Sequence, residues 1–301
     1  MIESQADDAA TARPHAPRAE KTVRAEPGKD IWFSRRVRVG PALRELWQFR
    51  PLIRALAERD IRIRYKQAVL GIAWAIFTPV VLMLAFTLVF TKFGHVQTQG
   101  VPYPLFSYIG LIPWSFFSSA LLAGGMSLSS NLALLNKLYC PREVFPLGTI
   151  VVAGVDAFVS TIVLVALFVI ERFTPSWQAV YAPIPLLILV AFTLGVTLSI
   201  SATVVYMRDL RIALPLIIQL GLFVTPVAYG ITTIASTRAG IIFYSALNPL
   251  APVIDGLRRT VLLGQGLDWA STAAGATTAT IVLIFGFMLF KRLETGLADF
   301  A

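Results

Sequence analysis

This 301-residue chain has one cysteine, two histidines and a charged fraction of only 14%. The lone Cys140 excludes an intramolecular disulfide framework and any cysteine-based metal centre. His15 lies in a polar tail and His95 in a loop, with no His, Glu and Cys grouped at ligand spacing. No metal site is expected. A phosphate-binding loop is missing too: Gly28-Lys29 lacks the first glycine and the Ser or Thr of that motif. The chain is therefore expected to carry no cofactor and to hydrolyse no nucleotide by itself. Asp255 and Asp268 have no companion carboxylates at a repeated spacing, which is poor support for an integral glycosyltransferase. Ion-coupled transport needs ionisable groups near the membrane midplane, and only Asp156 is available there.

Apolar length is what the chain has in abundance. Hydrophobic residues make up 56% of it, and the mean hydropathy is +0.71. Six long stretches stand out, at 70–91, 106–129, 147–170, 183–206, 212–230 and 272–290. A bilayer core about 30 Å thick is crossed by about 20 such residues in a helix. Lipid satisfies no backbone N–H or C=O group, so each stretch must be helical. The expected fold is an all-α integral membrane protein with six transmembrane helices.

Charge sets the orientation. Residues 1–69 hold 15 of the 26 Lys and Arg. With both termini in the cytoplasm, inner segments hold 21 of the 26, including Lys137, Arg142, Arg208, Arg211, Lys291 and Arg292. The outer face keeps Lys92, Arg172, Arg238, Arg258 and Arg259. That asymmetry is the positive-inside pattern. The net charge of +9 is then explained by topology and anionic lipid, and no nucleic-acid partner is expected. Residues 1–40 read as a disordered cytoplasmic tail without a cleavable signal, and 67–301 as the permeation domain.

Between them, residues 41–66 form one or two amphipathic helices interrupted at Pro51. Leu52, Ile53, Leu56, Ala57, Ile61 and Ile63 share one half of the wheel. Arg54, Glu58, Arg59, Arg62 and Lys66 share the other, and Asp60 and Arg64 break the pattern. Such a helix is expected to lie in the interface, either as an anchor or as a docking surface for a cytoplasmic partner. Pro79 is expected to kink the first span. Asp156 reads either as a packing carboxylate bonded to nearby Ser or Thr, or as a proton-coupling group. Residues 231–269 contain an apolar run broken by Asn248-Pro249 and Pro252, which fits a re-entrant helical hairpin on the outer face. Trp74, Phe77, Phe106, Tyr108, Trp114, Phe116 and Phe117 cluster in the first two spans. Either they form an interfacial aromatic belt, or some line a path for a large amphipathic solute such as a sugar chain.

Six blocks in order carry a resemblance: "RDIRIRYKQAVLGIAWAIFTPV" (59–80), "GVPYPLFSYIGLIPWSFFSSAL" (100–121), "NKLYCPREVFPL" (136–147), "YMRDLRIALPLIIQLGLFVTPVAYG" (206–230), "ALNPLAPVIDGLRRTVL" (246–262) and "ETGLADF" (294–300). Over residues 55–301 the chain resembles the permeases of ATP-binding-cassette exporters of O-antigen, teichoic acid and similar polysaccharides. The resemblance implies a homodimer in a bacterial inner membrane, with two copies of a cytoplasmic ATPase that binds the ATP. It implies a lipid-linked glycan as cargo. It also implies that Leu138, Tyr139, Cys140, Pro141, Arg142 and Glu143 form the coupling loop, with Arg59, Asp60, Arg62 and Arg64 adding to that contact. The outer hairpin, 241–263, would cap the exit. Two rivals are weighed against this: a permease for drugs or small lipids on the same fold, and a membrane enzyme acting on polyprenyl-linked sugars.

Overall fold

A computed structural model describes residues 44, 46–66, 71, 73–90, 98–131, 134 and 140–294. The tail 1–40, Leu138, Tyr139 and the residues after 294 lie outside the described residues. Among the described residues the α-helices are, in order, α1 Arg50–Lys66, α2 Ala73–Val89, α3 Tyr103–Ser130, α4 Val144–Ile170, α5 Pro183–Tyr206, α6 Leu210–Val224, α7 Arg238–Leu247, α8 Leu250–Leu257 and α9 Trp269–Glu294. No strand occurs among the described residues.

Helix α3 is the hub, packing against α2, α4, α5 and α8. At 28 residues it is about 42 Å long, more than a bilayer core. Its small residues let neighbours approach. A methyl group on Gly124 would strike the Thr197 and Thr149 side chains. The tightest pairing joins α5 to α9: a Cβ on Gly195 would lie 2.6 Å from the backbone of Val282 and Leu283, and one on Gly286 would overlap the Gly195 carbonyl. Lipid gives no hydrophobic drive for helix association, so such backbone-to-backbone contact supplies the packing energy instead.

Among the described residues, four helices are long and apolar enough to cross a membrane: α3, α4, α5 with its lead-in turn from Trp177, and α9. Two of the six expected spans come out shorter. Helix α2 has 17 residues and α6 has 15, giving lengths of about 25 and 22 Å. A glycine in left-handed backbone (Gly71, φ +50°) precedes α2, and Thr225-Pro226 follows α6.

Helices α7 and α8 are two arms bent by 118° at Asn248-Pro249. Thr237 caps α7, accepting from Gly240 N–H at 3.2 Å, and the Asn248 side chain accepts from Leu250 N–H at the same distance. The second arm continues from α8 through one π-helical turn, Arg258–Leu262.

Helix α1 differs from the flat interfacial helix suggested by its wheel. Gly148 of α4 faces Leu56 and Ile53, while Asp156, eight residues further on, meets Arg64 and Tyr65. The two helices therefore run side by side in the same direction for about two turns. Leu56 and Ala57 are buried by this packing, whereas Ile63, on the supposed apolar half, is 67% exposed.

Candidate solute cleft and inner-end cluster

The expected coupling loop splits between two roles. Arg142 donates from Nη1 to the Glu294 carbonyl, and Tyr206 Oη donates to the Leu293 carbonyl at 2.7 Å. Glu143 is 1% exposed and ion-paired with Lys291, which also pairs with Glu294 at 2.9 Å. The segment before α4, the end of α5 and the end of α9 are thereby tied together. Burial pushes the Glu143 carboxyl above its ordinary pKa and Glu294 adds to this, while the Lys291 ammonium opposes both. Glu143 and Lys291 thus form a buried pair beside the other residues of the expected coupling loop. Half-buried Cys140 has its thiol pKa raised, chiefly by burial.

Two adjoining cavities follow α1 and share Arg64. The inner one, about 310 Å³, is lined by Arg59, Asp60, Ser127, Ser130 and Asn131 among others. Arg59 bonds Asp60 at 2.9 Å and the Asn131 side-chain oxygen at 3.1 Å. The next, about 370 Å³, lies among α1, α2, α3 and α4, with Arg64, Tyr65, Trp74, Thr78, Ser115, Phe116, Ser118, Ser119 and Asp156 in its wall. Arg64 Nη1 donates to Asp156 at 2.7 Å, and Tyr65 Oη donates to the other carboxylate oxygen. The Tyr65 hydroxyl is pushed up to about 12, first by burial and then by that carboxylate. Asp156 is therefore satisfied by α1 rather than by Ser or Thr. The two wheel exceptions, Asp60 and Arg64, line the cavities together with Arg59. Arg62 is exposed and lines neither.

The seven aromatics separate as well. Trp74 and Phe77 are half-exposed and meet edge to face at 5.4 Å. Phe106, Tyr108, Trp114, Phe116 and Phe117 are all buried. Tyr108 Oη donates to the Ser160 carbonyl at 3.2 Å, and Phe117 stacks on Phe192 at 5.6 Å. Of the five, Phe116 reaches the cleft wall and the others pack the hydrophobic core.

Sequence reasoning missed Ser115, Ser118 and Ser119, whose helical spacing was the available signal. It also missed the role of Arg258, which its position assigns to the outer-face charges. The Arg258 side chain is 2% exposed, stacks 3.8 Å over Phe106 and donates to the carbonyls of Phe106 (3.1 Å), Pro226 (2.8 Å), Tyr229 (2.8 Å) and Val227. One arginine thus satisfies the irregular backbone after α6 and fixes the bent arm to α3.

Helices of this length and apolarity, packed with no strand among the described residues, fit an α-helical integral membrane protein. The chain belongs to the ABC-2 type transporter family, which it matches over residues 51–262. It is 32% identical over 258 residues to the O-antigen export system permease protein RfbA of Myxococcus xanthus, covering 85% of this chain and 98% of that protein. The Klebsiella pneumoniae protein of the same name is 28% identical over 250 residues, covering 82% and 94%. The polysialic acid transport protein KpsM of Escherichia coli is 24% identical over 253 residues, covering 81% and 94%.

Proposed function

We propose that this chain is the permease subunit of an ATP-driven exporter that moves a lipid-linked polysaccharide, O-antigen-like or another cell-envelope glycan, outward across a bacterial inner membrane. The observation that carries this reading is similarity along 98% of a protein named for O-antigen export. A chain without a phosphate loop needs its energy from a separate ABC ATPase, and it contributes a path rather than a reaction. In this reading two copies form the pore and two ATPase subunits dock beneath. Residues 138–142 and the exposed Arg62 face of α1 meet the ATPase, while Glu143 braces the loop from inside.

Six crossings follow if α2 and α6 span as well. A short hydrophobic helix is accommodated by local bilayer thinning or by its flanking residues, at modest cost. The α7–α8 pair then serves as a re-entrant outer hairpin, since arms of about 15 and 20 Å fall short of the core thickness. Both termini stay on the cytoplasmic side, where the basic excess lies.

Deleting the gene in cells that still synthesise the glycan should remove it from the surface and leave lipid-linked polymer inside. Restoration by this chain in cells that keep their ABC ATPase, and no restoration in cells that lack the ATPase as well, is the expected outcome. An unchanged surface glycan in the deletion strain would overturn the reading.

A further inference from the structure

The charges of the cleft among α1, α2, α3 and α4 cancel locally. Among the described residues its one cation, Arg64, is matched by its one carboxylate, Asp156, at 2.7 Å, and in the adjoining cavity Arg59 is matched by Asp60 at 2.9 Å. An anion recruiting either arginine would have to compete with the carboxylate already bonded to it. The remaining wall is largely apolar, with Ala75, Pro79, Leu122 and Ala157, and carries a row of hydroxyls that can donate or accept: Ser115, Ser118 and Ser119 on one face of α3, with Thr78 on α2. Half-exposed Trp74 adds an aromatic surface. Hydroxyls, a matched Arg–Asp pair and an aromatic ring complement an uncharged pyranose, which has hydroxyls around its rim and an apolar C–H face. A volume of about 370 Å³ lies at the low end of small-ligand pockets, about 300–1,000 Å³, so it suits one or two rings.

We propose that this cleft is a subsite for an uncharged sugar residue, with the Asp156–Arg64 pair and the α3 serines bonding its hydroxyls and Trp74 covering its C–H face. The proposal rests on the export reading for the class of cargo, and it adds that the contact is to a neutral ring rather than to an anionic group.

The test uses the full chain in lipid nanodiscs. Saturation-transfer NMR is recorded with the methyl glycosides of glucose, galactose and mannose, and ³¹P line widths with inorganic phosphate. At least one glycoside should receive saturation from the wild type, and phosphate should not broaden. Ser119→Trp fills the cleft and should abolish the signal, while Phe285→Ala, on an exposed face of α9, should leave it intact. Should Ser119→Trp fail to fold, the charge logic decides. Asp156→Asn leaves Arg64 unmatched and should lose sugar signal while gaining phosphate broadening. Arg64→Gln with Asp156→Asn restores neutrality and should regain the sugar. Wild-type protein that broadens phosphate, or transfers saturation to no glycoside, overturns the subsite. If cells nevertheless export the glycan, the export reading stands. Glycoside binding without export in cells overturns that reading alone.

Discussion

At the scale of single residues, Arg258 and Cys140 show how an apolar surround changes a polar group. Four carbonyls depend on Arg258, and each buried acceptor left without a donor costs about 1–3 kcal/mol. Arg258→Met should therefore prevent recovery of monodisperse protein in detergent or sharply lower its melting midpoint. Arg259→Met loses a bond to the exposed Gly266 carbonyl and an attraction to Asp255, and its midpoint should fall much less than that of Arg258→Met. Equal stability of the two variants would contradict the staple. At Cys140 the thiolate is the reactive form, and burial disfavours it. Maleimide labelling at pH 7 should lag behind that of an exposed cysteine, and the lag should shrink as pH rises. Rapid labelling at pH 7 would place this thiol in open water.

Elements explain which parts of the fold could be read from the sequence. The long spans were legible because apolar length alone determines them, and the bend at Asn248-Pro249 because proline lacks an N–H. The course of α1 was not. Its wheel left Asp60 and Arg64 as exceptions on the apolar half, since a wheel cannot foresee that α4 offers a carboxylate to receive an arginine. Nor could hydropathy separate core aromatics from path aromatics, because Phe106, Trp114 and Phe117 share a face whether that face meets solute or protein. Close helix contact gives a further prediction. Gly286→Leu should drive α9 from α5, costing at least the roughly 1–3 kcal/mol typical of overpacking, and reduce the folded yield. Ile281→Leu, at a 61% exposed position of the same helix, should be silent. Folded Gly286→Leu protein at wild-type yield would contradict the contact.

For the whole molecule, the cluster around Glu143 and Lys291 links the segment before α4, proposed to dock the ATPase, to the ends of α5 and α9. Glu143→Ala leaves Lys291 with Glu294 as its ion-pair partner, so the loss should stay below the roughly 3–5 kcal/mol of an uncompensated buried charge. Export should fall, and Glu143→Ala with Lys291→Met should recover protein level more than export. Full export from the single variant would remove the brace from the mechanism. The function itself was legible chiefly through the six blocks that resemble polysaccharide-exporter permeases, and the missing phosphate loop added the expectation of a separate energy source. The most direct measurement reconstitutes the chain with its ABC ATPase in proteoliposomes, adds fluorescent lipid-linked glycan and follows its protection from an added glycosidase. The account predicts protection that requires both subunits and ATP hydrolysis. Protection by this chain alone without nucleotide, or none with both subunits and ATP, would contradict it.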